Sequence, residues 1–351
     1  PILLSISSFD RSISSTGIAT LHVLLGLATV ATTWLVARKY GRGHGRDWHP
    51  ELAAMAVAID PLLLVQSSQI MTETLAAFLA TVALFCLLQL EQRQSRVWGI
   101  ASGLTLGCAA LCRPTFLPWC VLVLLLQVPK TLRNRTAASL LCLALGMAFT
   151  LFPWALRNYG TLGRWIVSTT HGGYTLLLGN NPEYYAYLRD ANRERVWTAE
   201  PAHEAVNAIL VQENLNLVRD EITLDARLAE QARQHMQNDI QGCILACIDR
   251  IQQLWSPLIR AVAGESPLRR LVRYVICVGY VGVYAAAIVG ALRGWNSSQR
   301  PLILFAFALA ISFTAVHTIY WSNLRMRSPL MPAIYLLAAG SLVRPRASMS
   351  D

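Results

Sequence analysis

The apolar residues of this 351-residue chain fall in long blocks, and this distribution constrains the fold more than any other feature. A helix needs about 20 apolar residues to cross the core of a bilayer, and most of the blocks approach that length. Only 14% of the residues are charged, against about 25% in an ordinary soluble domain. The composition excludes a soluble enzyme and predicts an α-helical multispan membrane protein. The blocks predict nine spans, at about 17–37, 51–66, 73–90, 97–112, 114–129, 137–153, 273–292, 301–319 and 329–343.

Basic residues set the predicted orientation of these spans. The chain carries 30 Lys and Arg against 20 Asp and Glu, a formal net charge of +10. Cytoplasmic loops of membrane proteins are enriched in Lys and Arg. Here the basic residues gather in alternate short loops, which argues against nucleic-acid binding and predicts a cytoplasmic C-terminus. The residues assigned to cytoplasmic loops are Arg38, Lys39, Arg42, Arg46, Arg93, Arg96, Lys130, Arg133, Arg135, Arg293, Arg300, Arg344 and Arg346.

The same pattern divides the chain into five predicted parts. An outer interfacial segment (1–16) precedes an N-terminal transmembrane bundle (17–153). An extracytoplasmic segment (154–272) is followed by C-terminal transmembrane helices (273–343) and a cytoplasmic tail (344–351). We expect the soluble part of the protein to be concentrated in the extracytoplasmic segment.

The extracytoplasmic segment is predicted to be mixed but mostly helical. Its first part, through HGGYTLLLGNNPEYY, is rich in Gly, Asn and aromatic residues, which predicts loops and short strands. From Thr223 to Trp255 an apolar stripe predicts one helix that packs on the spans or on the outer membrane surface. The stripe consists of Leu224, Leu228, Ala232, Met236, Ile240, Ile244, Ile248, Ile251 and Trp255.

Cofactor motifs give no positive signal. The eight cysteines contain no CxxC pair and no Cys/His cluster with zinc spacing, so no metal site is assigned, although a divalent metal stays open. The GRGHGR stretch at 41–46 lacks the Gly-Lys-Ser/Thr ending of a phosphate-binding P-loop. Neither a GxSxG nor an HExxH motif occurs, so the commonest hydrolase and zinc-protease motifs are absent.

Acidic residues beside the spans are candidates for chemistry, because ionised groups are costly inside a bilayer. Glu73 lies at the predicted outer end of a span, after the polar run 66–69. It is either a carboxylate facing an outer active site or a helix N-terminal Glu favoured by the helix dipole. Asp60, next to Pro61, either caps or pairs within the bundle or lines a pathway.

Four arginines lie at the predicted outer face, although basic residues are generally enriched on the cytoplasmic side. They are Arg113, Arg157, Arg325 and Arg327. A guanidinium fork suits a phosphate, so these residues predict an anionic lipid headgroup as ligand. The alternative is that they anchor the protein at the headgroup level. Further candidates for lining the same cavity are His317, Tyr320, His171 and Asn180.

Four stretches, taken in order, carry a family resemblance. They are AIDPLLLVQSSQIMTETLAAF, GLTLGCAALCRPTFLPW, FPWALRNYGTLGRWIVSTTHGGYTLLLGNNP and RMRSPLMPAIYLLAAG. Together, from about Ile18 to Gly340, they resemble the bacterial polyprenyl-phosphate sugar transferases of the GT-C fold. This group includes the dolichyl-phosphate-mannose protein mannosyltransferase-like proteins and the aminoarabinose lipid A transferases.

The resemblance implies a membrane glycosyltransferase of the bacterial inner membrane, with its active face outside the cytoplasm. Such an enzyme transfers a sugar from a polyprenyl-phosphate donor to a lipid, protein or glycan acceptor, with inversion. By position in the family's motifs, Glu73 is a supporting carboxylate and Arg325 and Arg327 form the basic motif that binds donor phosphate. Arg113 and Arg157 match recurring arginines of the family.

One departure from the family leaves alternatives open. The family's principal acidic residue, usually an Asp in a long first outer loop, has no counterpart in this chain. We therefore expect a fragment that lacks the first span and that loop, and that is inactive alone. The alternatives are an inactive protein that binds lipid-linked sugars and a transporter or flippase for an anionic lipid-linked substrate.

Overall fold

The computed structural model describes residues 15–40, 50–134, 137–190, 197, 200–216, 219–261 and 264–342. The predicted outer segment (1–16), apart from its last two residues, and the tail (344–351) lie outside these ranges. Five basic loop residues also lie outside them, namely Arg42, Arg46, Arg135, Arg344 and Arg346.

The described residues are almost entirely helical and contain no strand. In chain order the α-helices are α1 Ser15–Tyr40, α2 Pro50–Ile59, α3 Pro61–Ser67, α4 Glu73–Arg93, α5 Arg96–Cys112, α6 Leu117–Asn134, α7 Ala137–Leu162, α8 Gly172–Gly179, α9 Pro182–Arg189, α10 Glu200–Gln212, α11 Glu221–Asn238, α12 Ile240–Trp255, α13 Pro267–Gly294, α14 Arg300–Ile319 and α15 Met331–Ser341. Two 3₁₀ segments, Pro114–Phe116 and Leu324–Leu330, precede α6 and α15.

Length and composition confirm the predicted multispan class. Within the described part of the chain, five helices are long and apolar enough to cross a membrane: α1, α4, α7, α13 and α14. Helices α2 and α3, bent by 53°, make a sixth if they count as one broken span. Helix α5 and the stretch Pro114–Pro129 are apolar but shorter, and α15 has 11 residues. The number of nine spans stays a prediction.

The chain divides into two compact units. The first contains Pro1–Leu151, Pro257–Ile311 and Arg325–Asp351, and the second contains Phe152–Ser256 and Ser312–Leu324. The second unit therefore takes in most of the predicted extracytoplasmic segment and adds a stretch that ends helix α14. The side of the membrane that each unit faces stays a prediction.

In the first unit, glycines let helices approach at backbone distance. A Cβ at Gly99 of α5 would lie 2.6 Å from the carbonyl oxygen of Ser139, and one at Gly146 of α7 would lie 2.7 Å from that of Ile100. A Cβ at Gly290 of α13 would collide with the carbonyl oxygen of Leu337 in α15. Small residues are the usual means by which membrane helices pack closely. These contacts fix α5 on α7 and α13 on α15.

In the second unit, the predicted short strands are wrong, because this region forms α8 and α9. The side chain of Asn181 accepts a hydrogen bond from the amide of Tyr184, and Pro182 occupies the first turn of α9. An Asn cap followed by proline is a strong helix start. This local signal overrides the strand preference of the neighbouring aromatic residues.

The continuous helix predicted from Thr223 to Trp255 is wrong, because the structure has two helices there, α11 and α12. Asp239 ends α11 and caps α12 by accepting a hydrogen bond from the amide of Gly242, which restarts the helix with a new phase. Residues Leu224, Leu228 and Ala232 are buried as predicted, but Ile240, Ile244 and Ile248 are exposed. The buried face of α12 consists of Gly242, Ala246, Arg250 and Leu254.

Candidate active site at the start of helix α4

Three charged side chains of the first unit meet at the start of α4. The carboxylate of Glu73, whose side chain is only 3% exposed, lies 3.1 Å from Nη1 of Arg113. The same carboxylate oxygen, Oε1, lies 3.5 Å from Nε of Arg325. One acid between two guanidinium groups leaves this group of three residues, the Glu73 cluster, with a formal charge of +1.

The local backbone conformation positions Arg113 and Arg325 beside Glu73. Arg113 ends α5 in an extended conformation, as expected for a residue that precedes a proline. Arg325 belongs to the 3₁₀ segment Leu324–Leu330. Its side chain is 33% exposed, against 13% for Arg113. The cluster is therefore buried on the carboxylate side and open on the side of Arg325.

An apolar groove of about 220 Å³ lies in the same unit as this cluster. It is lined by residues of α1 to α4, and Thr74, the neighbour of Glu73, is one of them. Val23, Leu27 and Leu63 contribute apolar surface. His22 also lines it, with Nδ1 at 3.0 Å from the carbonyl oxygen of Ser67. A groove of this lining offers apolar surface to a lipid chain.

Arg327 does not join the Glu73 cluster, although it is two residues from Arg325. Its side chain is 0% exposed, and its guanidinium carbon lies 4.6 Å from the ring centroid of Tyr280 and 5.8 Å from that of Tyr284. The predicted phosphate contact of Arg327 is not tested by this geometry, but its surroundings in the structure are aromatic.

Asp60 lies on the other side of the same tyrosine. Its carboxylate accepts hydrogen bonds from the hydroxyls of Tyr280, at 3.2 Å, and Tyr335, at 2.6 Å. It also caps α3 through the amide of Leu63. Sequence reasoning offered capping or pairing as one of two readings of Asp60. It missed the tyrosines, because nothing in their local sequence distinguishes them from interfacial tyrosines.

The remaining predicted site residues belong to the second unit. The guanidinium of Arg157 stacks at 5.1 Å on Trp154 and donates to the Asn158 side chain. His171 is the N-terminal cap residue of α8. Tyr320 packs on the buried leucines of α8 and α11. None of these observations assigns a ligand.

Asn180 and His317 hold the backbone of the second unit. Asn180 is fully buried. Its side-chain nitrogen, Nδ2, donates to the carbonyl oxygens of Leu176 and Ile319. Nδ1 of His317 lies 3.1 Å from the carbonyl oxygen of Trp321. Both contacts are structural, and a role in lining a cavity stays a prediction.

Arg250 is a buried residue that the sequence analysis did not single out. Its side chain is 0% exposed. It donates to the carbonyl oxygens of Thr318, at 2.8 Å, and Gly179, and to the side-chain oxygen of Asn180, at 3.3 Å. The only signal in the sequence is a charged residue at the four-residue spacing of Gly242 and Ala246 on α12.

Among the described residues, no group of three or more His, Cys, Asp or Glu side chains could hold a metal ion. The eight cysteines are all free thiols.

The fold and the Glu73 cluster together define a multi-pass α-helical membrane protein with a cationic cluster and an apolar groove in the same unit. The model of the dolichyl-phosphate-mannose-protein mannosyltransferase family matches residues 5–168, a little less than half of the chain. This match confirms the resemblance over those residues, which include Glu73 and Arg113.

The other comparisons are weaker. No curated protein sequence matches the chain. The crystal structure of ArnT from Cupriavidus metallidurans bound to undecaprenyl phosphate is similar to 93% of this chain and 66% of its own, at 14% sequence identity. The TM-score is 0.32, which does not establish a shared fold. The present chain thus spans slightly less than two thirds of that protein's length.

Proposed function

We propose that this protein is a glycosyltransferase that takes a sugar from a polyprenyl-phosphate donor at the outer face of a bacterial inner membrane. The acceptor is a lipid, a protein or a glycan, and the transfer inverts the anomeric centre. The observation that carries the proposal is the Glu73 cluster, where two guanidinium groups converge on one buried carboxylate. The family match over residues 5–168 supports it.

The two arginines suit the leaving group of this reaction. When the bond between sugar and phosphate breaks, negative charge grows on the phosphate oxygens. Guanidinium groups that already face that position stabilise the charge without reorganisation. Arg113 and Arg325 approach from different parts of the chain and leave a net positive charge, so they can bind a phosphate in addition to Glu73.

Glu73 suits the acceptor. Inversion needs a carboxylate that orients the acceptor hydroxyl and accepts its proton. We assign Glu73 as the supporting carboxylate of this step. The family resemblance implies a second, principal acid, and we assign that role to no residue of this chain.

Binding of the donor phosphate tests the proposal without requiring complete catalysis. The purified chain in nanodiscs is titrated with undecaprenyl phosphate, and the dissociation constant is measured for wild type, Arg113→Ala and Arg325→Ala. Each arginine variant should weaken binding by about tenfold, the loss expected for a charge-assisted contact to phosphate. Arg260→Ala, which removes an exposed arginine of the same unit, is the matched control and should bind like wild type.

Glu73 separates an enzyme from a binding protein. With the full-length protein and a sugar-loaded donor, Glu73→Gln should abolish transfer while undecaprenyl phosphate still binds. Transfer at the wild-type rate would remove Glu73 from the mechanism. Binding without transfer in the wild-type full-length protein would instead favour an inactive protein that binds lipid-linked sugars, and facilitated movement of the donor between leaflets would favour a flippase.

A further inference from the structure

We infer that Asp60 and Arg327 form a buried positioning pair, bridged by Tyr280, that directs Arg325 towards Glu73. The inference rests on the proposed function, because it concerns the arginine that binds the donor phosphate. It gives Arg327 a role behind the site, in place of direct contact with the donor.

The first step is the connection between the two buried charges. Tyr280 contacts both of them: its hydroxyl donates to Asp60, and its ring faces the guanidinium of Arg327. Asp60 is 1% exposed and Arg327 is 0% exposed. A buried charge is costly unless an opposite charge or strong polar partners compensate for it. Tyr280 therefore contacts Asp60 through its hydroxyl and Arg327 through its ring.

The second step is the place of Asp60 in the fold. Asp60 lies at the 53° bend between α2 and α3 and holds the first turn of α3. Tyr280 belongs to α13, and Tyr335 belongs to α15. The carboxylate thus ties three separate parts of the first unit at one point. A group held by three donors has little freedom to move.

The third step is the geometry of the 3₁₀ segment Leu324–Leu330. A 3₁₀ helix has three residues per turn, so side chains two positions apart point to different sides. Arg327 lies against the rings of Tyr280 and Tyr284, and Arg325 points instead to Glu73. Fixing Arg327 against the tyrosines therefore fixes the rotation of the segment, and this rotation sets the direction of Arg325.

A double-mutant cycle tests whether Asp60 acts through Arg325. Dissociation constants for undecaprenyl phosphate are measured in nanodiscs for wild type, Asp60→Asn, Arg325→Ala and the double variant. The temperature is kept well below the thermal unfolding midpoint of each variant. Asp60→Asn should weaken binding by about tenfold in the wild-type background and have no further effect once Arg325 is absent. A role confined to stability would lower the unfolding midpoint without producing this coupling.

Two outcomes overturn the inference. One is an unchanged dissociation constant in folded Asp60→Asn, and the other is a loss that adds fully to that of Arg325→Ala. If Asp60→Asn does not fold, Tyr280→Phe replaces it in the same cycle, because phenylalanine keeps the ring over Arg327 and removes only the bridging hydroxyl. The same two outcomes apply to Tyr280→Phe.

Hydrogen exchange keeps the inference separate from the proposed function. Exchange of the backbone amides of Leu324–Leu330 is followed in wild type and Asp60→Asn, without any donor. Faster exchange in the variant supports positioning even if the wild-type chain binds no undecaprenyl phosphate, an outcome that would count against the proposed function. Unchanged exchange overturns the inference whatever the chain binds.

Discussion

The two fully buried arginines, Arg327 in the first unit and Arg250 in the second, are held by different chemistry. Arg327 faces the rings of Tyr280 and Tyr284, with the carboxylate of Asp60 beyond one of them. Arg250 donates to backbone carbonyls and to an amide side chain. The partners described for Arg250 carry partial charges, whereas the surroundings of Arg327 include a full negative charge.

The difference in partners indicates a different structural role for Arg250 and for Arg327. A guanidinium that donates in several fixed directions is a crosslink, because each N–H holds a separate piece of backbone. Arg250 connects the end of α8, helix α12 and the end of α14 in this way. A guanidinium that lies against aromatic rings is held by attraction over a broad surface. Arg327 therefore sets an orientation, while Arg250 joins chain segments.

The largest expected effect is the loss of the Arg250 crosslink. Arg250→Met removes the donor to the carbonyl oxygens of Thr318 and Gly179, whereas the side-chain oxygen of Asn180 still accepts from the hydroxyl of Tyr185. At about 1–3 kcal/mol for each of the two unsatisfied carbonyl groups, the free energy of unfolding should fall by about 2–6 kcal/mol. Thermal unfolding in detergent measures this, with Arg260→Met as the exposed control. An unchanged midpoint would show that Arg250 is not a crosslink.

Lysine substitutions should separate the two arginines. Lysine keeps the positive charge but loses the planar fork, so Arg250→Lys should still cost about 2–3 kcal/mol. Arg327→Lys should cost only about 1 kcal/mol, because an ammonium group also interacts with the face of a tyrosine. The same unfolding measurement applies to both. Equal losses would contradict the distinction between a crosslink and a contact with aromatic rings.

Asn180→Asp tests whether a carboxylate beside Arg250 would stabilise the second unit. The substitution places a negative charge beside Arg250 but removes the two hydrogen bonds that the Asn180 amide donates to Leu176 and Ile319. It also brings a carboxylate close to those carbonyl oxygens. We expect a net destabilisation of about 1–3 kcal/mol by the same unfolding measurement. A rise in stability would mean that charge compensation dominates this site.

The smallest effect is expected at Tyr284. Tyr284→Phe keeps the ring that faces Arg327, so unfolding should become easier by no more than about 1 kcal/mol. Tyr284→Leu removes the aromatic face and should cost more than Tyr284→Phe. If the two variants lose equal stability, the aromatic face does not stabilise Arg327.

The sequence predicted well those features that depend on neighbouring residues. Apolar blocks identify the long helices, since membrane-spanning length is read directly from composition. The ends of these blocks predicted that Glu73, Arg113 and Arg325 face one side, and the structure brings these three together. The assignment of their roles stays a proposal.

Features that depend on packing between distant parts of the chain could not be predicted from the sequence. Asp60 and Tyr280 are far apart along the chain, and only the packing of α3 on α13 joins them. The break at Asp239 and the buried face of α12 were missed for a related reason. Hydrophobicity selected the isoleucines, but close packing against Tyr185 requires Gly242, where a Cβ would lie 2.7 Å from the tyrosine ring.

The length of helix α5 has a consequence for the lipid around it. Its 17 residues measure about 25 Å at 1.5 Å per residue, which is shorter than a hydrocarbon core of about 30 Å. Hydrophobic mismatch of this kind is relieved by local thinning of the bilayer. Arg113 ends α5, so if α5 spans the bilayer as the sequence predicts, thinning at that end brings water and lipid headgroups towards the Glu73 cluster. Under the proposed function, the polar head of the donor would then reach Glu73 without crossing the full depth of a leaflet.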